Sequence, residues 1–137
     1  MCLADLNEAA LDLCRERFAF YPTEIHYTLT DGTSLDSVPP YPYDLIACFD
    51  SMVHMRPEII ASYVGAMGHL LTPGGIAWLD HSARGERDQG HRTGMTDVLM
   101  RDFAESAGLQ VVSQEMRNDW DCISVLRRPT SNGADET

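Results

Sequence analysis

Apolar positions along the chain change their period several times, and each change marks an element. Met1-Cys2-Leu3-Ala4 is a short apolar run ending in Asp5, which predicts a strand. Asn7, a good helix cap, follows with Glu8 in the first turn, and Leu11, Cys14 and Phe18 recur at helical spacing until Pro22 stops the pattern. Ile25, Tyr27 and Leu29 alternate with His26 and Thr28, as in a half-buried strand, and this run ends at Asp31-Gly32. Thr33 to Tyr43 is rich in Ser, Asp and Pro and reads as loop.

Tyr43 to Phe49 is a nearly continuous apolar run, broken only by Asp44, and predicts a strand buried on both faces. Asp50-Ser51-Met52-Val53-His54 stands at its carboxyl end. Pro57 suits a first helical position, and Ile60, Tyr63, Val64, Met67, Leu70 and Leu71 form an amphipathic stripe expected to be core. Pro73-Gly74-Gly75 is expected to end that helix, with Ile76 to Leu79 as the next strand and Asp80-His81-Ser82 at its end. Ala83 to Gly94 turns to Gly, Arg, Asp and Gln and is expected to be a mobile, lid-like surface loop. Val98, Leu99, Phe103 and Ala107 mark a further helix capped by Gly108. Val111 to Met116 and Cys122 to Leu126 are β runs separated by Asn118-Asp119-Trp120-Asp121, the pattern of a hairpin. Residues 129–137 lack apolar side chains and are expected to be a disordered tail.

The order β-α-β-loop-β-α-β-α-β-β predicts an α/β fold with a doubly wound, Rossmann-like sheet, mostly parallel and closing in an antiparallel hairpin. At 137 residues one domain is expected, over residues 1–128. Ligands of such sheets bind outside the carboxyl ends of the strands, where Asp5, Asp31, Asp50 and His81 all fall.

Composition narrows the partners. A formal charge of -11 is a poor match for phosphate backbones, so no nucleic-acid partner is expected. No apolar run is long enough to span a membrane and no leader pattern opens the chain, so the expectation is a cytoplasmic protein with no membrane partner. Cys2, Cys14, Cys48 and Cys122 form no C-x-x-C pair and read as free thiols. His26, His54, His69, His81 and His91 lack zinc-site spacing, so no structural zinc is expected and no metal ligand is assigned, while a divalent cation held by Asp50 and His81 on substrate hydroxyls stays open.

A carboxylate at a strand end offers two acceptor oxygens that match two vicinal ribose hydroxyls, which makes Asp5 a candidate. It serves equally well as a helix-start acid. Asp31-Gly32 is open in the same way, as an acceptor for an adenine amino group or as an ordinary turn. The series of motifs goes further. Ala4-Asp5-Leu6-Asn7 opening a helix, Asp31-Gly32-Thr33, Tyr43-Asp44-Leu45-Ile46, and Leu70-Leu71-Thr72-Pro73-Gly74-Gly75 before a strand resemble the class I S-adenosylmethionine-dependent methyltransferases, from their second strand to their last.

That resemblance covers Met1 to Arg128 and implies S-adenosyl-L-methionine as cofactor, with Asp5, Leu6, Asp31, Gly32, Phe49 and Asp50 in its site. Phe49-Asp50-Ser51-Met52-Val53-His54 and Asp80-His81-Ser82 are similar to a branch associated with O-methylation of sugars and other small hydroxyl compounds. Many members of that branch carry His at the position of Asp80 and Asn at that of Ala83. The family's first strand, glycine-rich loop and following helix have no counterpart here. Glycines in such a loop let backbone approach the ligand closely, so weak cofactor binding is expected of these 137 residues. The absent strand belongs in the middle of the family sheet, so two unpaired edges are expected. Direct strand pairing or homodimerisation would satisfy them.

Methyl transfer from a sulfonium is an in-line displacement that needs an aligned acceptor oxygen and a base. His54 and His81 are the candidate bases, with Asp50 orienting one of them or acting through water. Arg84, Arg87 and Arg92 are either solvated charge or contacts for an anionic substrate, and Trp120 either packs or stacks on substrate. Two other functional classes stay open. One is a non-catalytic remnant serving as a binding or oligomerisation module; the other is a nucleotide-dependent oxidoreductase, disfavoured by Pro-Gly-Gly and the closing hairpin.

Overall fold

The computed structural model describes residues 1–85 and 94–130. Most of the expected lid, with Arg87 and Arg92, and most of the expected tail lie outside the described residues. The chain forms two compact units, Met1–Pro40 and Tyr41–Thr137.

In the first unit, β1 (Cys2–Asp5) runs parallel to β2 (His26–Leu29), with α1 (Glu8–Arg17) crossing between them. Asn7 caps α1 as its sequence position predicts, its side chain accepting the Ala9 N–H at 3.0 Å. Leu11 is the buried anchor of the helix. The helix stops at Arg17, before Pro22. The regular alternation expected of β2 is not seen, since His26, Tyr27 and Thr28 are all half-buried and Leu29 is exposed. In a sheet of two strands neither face is deeply covered.

The second unit contains β3 (Tyr43–Met52), α2 (Pro57–Leu70), β4 (Leu71–Ser82), α3 (Asp97–Ser106), β5 (Gln110–Met116) and β6 (Asp121–Arg127). Its sheet has the order β3-β4-β6-β5; β3 is parallel to β4, while both pairings of β6 are antiparallel. The sheet is therefore mixed rather than mostly parallel. The β5–β6 hairpin appears where the sequence places it. α3 ends in a Schellman turn, Leu109 N–H to Ala104 carbonyl at 2.8 Å and Gly108 N–H to Glu105 carbonyl at 3.0 Å, as the glycine predicts. Met100 and Ala104 are its most buried residues, however, and Val98 is exposed.

Two expectations about β3 and β4 need correction. Pro73-Gly74-Gly75 does not end α2; the helix ends at Leu70 and the three residues lie inside β4. They form a bulge, because Tyr43 pairs with Leu71 but Leu45 already pairs with Ile76. β3, expected to be buried on both faces, is an edge strand with one open face. Leu45, Ala47 and Phe49 are exposed, and register places Leu45 and Ala47 beside half-buried Ile76 and Trp78 of β4. The opposite face carries Ala77, Leu79, His81, Cys122, Ser124 and Leu126, all buried, with α2 and α3 packed on each other and against the sheet. Ile60, Tyr63, Val64 and Met67 of α2 are core, as their stripe predicts. All four cysteines are free thiols. No described helix is long and apolar enough to cross a membrane.

Candidate functional site

The first unit brings four of the expected residues together at one rim. Parallel pairing sets Asp5 opposite Leu29, and the Thr30 N–H donates to the Asp5 carbonyl at 2.9 Å, so the two strands end side by side. Asp5 Oδ1 accepts the Asn7 N–H at 2.8 Å. This bond fixes the exposed carboxylate at the mouth of α1, where the helix dipole also favours a negative charge. Asp31 Oδ1 accepts the Thr33 and Ser34 N–H groups, each at 2.8 Å. Those two backbone donors, Thr33 first, hold the Asp31 carboxyl below the usual carboxylate range and keep it ionised. Gly32 bends the chain at φ 75°, and a Cβ there would meet Leu6 Cδ2 at 3.3 Å. Leu6 and Gly32 are thus close neighbours, and Leu6 is exposed.

In the second unit the carboxyl ends of β3 and β4 carry the remaining candidates. β3 contains two extra residues between its Cys48–Leu79 and Met52–His81 pairings, and Asp50 lies in that irregular stretch with φ 59°. Among the described residues it is the single non-glycine residue in the left-handed region. Its N–H donates to Oδ2 of the fully buried Asp80 at 3.1 Å. Its carboxylate is exposed and accepts from Arg117 Nη2 at 3.3 Å. Arg117, at the end of β5, also reaches Asp80 Oδ1 through Nε at 3.3 Å and Asp121 Oδ2 through Nη2 at 3.1 Å. Burial opposes the Arg117 charge, but Asp80 and then Asp121 outweigh it and raise its pKa. The guanidinium stands 5.0 Å from the centre of the exposed Phe49 ring, which stacks on Trp78 at 6.0 Å.

The two histidines differ sharply. His81 is fully buried and both ring nitrogens are engaged: Nδ1 lies 2.7 Å from the Ser82 carbonyl and Nε2 2.7 Å from Ser124 Oγ. A carbonyl only accepts, so Nδ1 carries the proton and Nε2 accepts from the serine hydroxyl. Gln114 Nε2 donates to the same hydroxyl oxygen at 3.0 Å, completing a neutral chain. Burial pushes the His81 pKa down, with the Ser82 bond and the Asp80 charge opposing it in part. His54 is exposed, in the turn between β3 and α2, with its N–H on the Ser51 carbonyl at 3.2 Å. Arg84 is exposed and bridges to Thr96. Trp120 sits in the hairpin turn, where the Asn118 side chain accepts its N–H at 2.8 Å.

Sequence reasoning missed Arg117 and Asp121 as members of this cluster. Their only signal is a polar hairpin turn, and Arg117 meets Asp50 across 67 residues of chain. Asp80 was visible as a strand-end acid, but its contact with the Asp50 backbone was not.

No protein-family model matches the chain, and no curated protein is similar to it. Solved structures do match. An S-adenosylmethionine-dependent methyltransferase from Clostridium acetobutylicum ATCC 824 superposes with a TM-score of 0.76 at 11% identity, covering 93% of this chain and 74% of that one. The N-methyltransferase NodS from Bradyrhizobium japonicum WM9, in complex with S-adenosyl-l-homocysteine, gives a TM-score of 0.70 at 22% identity over 93% of this chain and 66% of its own. The [4+2]-cyclase SpnF gives 0.70 at 14% identity, over 94% of this chain and 66% of its own. Likeness at such low identity carries the fold and leaves the reaction open. The chain shares the α/β fold of these S-adenosylmethionine-dependent methyltransferase structures, and its described residues form three helices, a two-stranded parallel sheet and a four-stranded mixed sheet.

Proposed function

We propose that these residues serve an S-adenosylmethionine-dependent methyltransferase acting on a hydroxyl of a sugar or another small compound. The observation that carries the reading is the pair of carboxylates at the carboxyl ends of adjacent parallel strands. Asp5 and Asp31 are each oriented by backbone N–H donors, on a fold shared with S-adenosylmethionine enzymes.

The donor set fits the cofactor. Each carboxylate has one oxygen tied to backbone, and its second oxygen is left to accept from ribose hydroxyls at Asp5 and from an adenine amino group at Asp31. Leu6 and Gly32 supply an apolar side chain and a backbone stretch without a Cβ beside them. S-adenosyl-L-methionine, when bound, supplies the methyl group on a sulfonium. Phe49 and Asp50 belong to the second unit, and the family resemblance alone assigns them to that ligand. Of the two histidines, His54 takes the role of base, because the ring nitrogens of His81 are both committed inside the core. Asp50, exposed beside the same turn, orients the acceptor or receives the proton through water. His81 contributes by holding the end of β4. The sugar or small-hydroxyl acceptor rests on the likeness of the Phe49–His54 and Asp80–Ser82 segments to an O-methylating branch.

Weak cofactor binding is part of the proposal, since these residues hold no counterpart of the glycine-rich loop that follows the family's first strand, and the glycines between β4 and α3 stand at another place in the fold. Calorimetric titration with S-adenosylmethionine and with NAD tests both parts. The expected result is S-adenosylmethionine binding weaker than micromolar, and none of NAD. In a form extended by the family's glycine-rich segment and binding S-adenosylmethionine, Asp5→Ala weakens that binding by about 1 to 3 kcal/mol, the cost of an unmade charged hydrogen bond. Micromolar affinity would overturn the weak-binding part alone. NAD in place of S-adenosylmethionine, or an Asp5→Ala variant with unchanged affinity, would overturn the site.

A further inference from the structure

Arg117 joins four groups that the chain brings from three strands. Its guanidinium reaches Asp50 at the carboxyl end of β3, Asp80 in β4 and Asp121 at the start of β6, and it lies over the ring of Phe49. The side chains of Asp80 and Asp121 are completely buried, whereas that of Asp50 is 62% exposed. Two buried carboxylates therefore anchor the cation, and the cation's remaining reach goes to the exposed one. Asn118 Nδ2 also donates to Asp121 Oδ2 at 2.9 Å, which fixes the anchor on the hairpin side. Asp80 acts twice, with Oδ1 on Arg117 and Oδ2 on the Asp50 N–H.

Asp50 needs that support. A left-handed backbone costs an L-residue with a Cβ more than it costs glycine, and such conformations persist where the surroundings over-determine them. Here Asp80 holds the backbone of Asp50 and Arg117 holds its side chain. A planar guanidinium with five donors can serve three carboxylates at once, which a point-charge ammonium cannot.

We propose that Arg117 is a positioning residue: through Asp80 and Asp50 it holds the Phe49–Asp50 turn in its left-handed conformation and sets where the Asp50 carboxylate and the Phe49 ring stand. The role of that turn in ligand binding rests on the function proposed above. The geometry of the turn does not, so the test reads the turn itself.

Amide hydrogen exchange by NMR on the full chain reports it, with the Asp50 N–H compared against the β4–β6 ladder at Leu79 and Ser124. Arg117→Gln raises Asp50 exchange by about tenfold relative to the ladder, and Arg117→Lys, which keeps the charge and the fold of the anchor, gives a smaller rise in the same place. In an Asp50→Gly background, where the left-handed turn carries no Cβ, Arg117→Lys leaves the exchange at position 50 unchanged. Equal loss of protection at Asp50 and throughout the ladder in both Arg117 variants would make Arg117 a structural cation only and overturn the proposal. Unchanged Asp50 exchange would overturn it as well. If the exchange pattern shifts as described while S-adenosylmethionine fails to bind, the functional reading falls and the positioning role stands.

Discussion

His81 provides a test in which pH separates a buried structural histidine from an available base. Its side chain is fully buried, donates from Nδ1 to the Ser82 carbonyl and accepts at Nε2 from Ser124. Replacing it with Gln keeps an acceptor of similar reach for the serine but loses the second bond, at a cost of about 1 to 3 kcal/mol near neutral pH. The sign of the pH effect follows from the direction of the shift. Burial, the largest cause, lowers the folded-state pKa below the ordinary 6.5. The unfolded chain then takes up a proton near 6.5 that the folded chain refuses. Stability tied to neutral His81 is fully present above that value and is lost as pH falls below it, toward the folded-state pKa. One proton sets the steepest slope at about 1.4 kcal/mol per pH unit. Urea unfolding of the wild type and His81→Gln, from about pH 7.5 down to about pH 5.5, measures the difference. The wild type should lose stability faster than the variant on acidification. Parallel curves, or a wild type gaining stability relative to the variant at low pH, would show that His81 accepts a proton in the fold and would refute the buried neutral network.

Leu79 and Leu45 stand on opposite faces of the same sheet, one fully buried and one 60% exposed. Leu79→Ala should cost about 2 to 5 kcal/mol in urea unfolding and Leu45→Ala about 1 kcal/mol or less; similar costs would mean that the face of β3 bearing Leu45 is covered. If the proposed methyl transfer takes place with His54 as its base, His54→Ala should lower kcat by about a hundredfold or more and leave cofactor affinity nearly unchanged. Equal losses in turnover and affinity would assign His54 to structure instead.

Much of this molecule is legible in its residues because the signals are local. Asn7 and Gly108 sit at helix ends whose unpaired N–H and carbonyl groups need a cap or a left-handed turn, and the structure uses both as such. The apolar stripe of α2 and the turn residues before Asp121 fix a helix face and a hairpin in the same way. Asp5 and Asp31 fall at strand ends by spacing alone, and their local backbone bonds lie within three residues of each carboxylate. What tertiary structure decided is where non-local pairing acts. An apolar run such as Tyr43–Phe49 specifies a strand, but whether one or both of its faces are covered depends on which elements pack there, and here one face is open. Pro73-Gly74-Gly75 breaks a helix or bulges a strand with equal ease, and pairing with β3 chose the bulge. A histidine near a strand end is a base if solvent reaches it and a buried acceptor if the Ser124 hydroxyl does; the partner lies 43 residues away. Arg117, which nothing in the sequence singles out, acquires its meaning only when folding places three carboxylates around it.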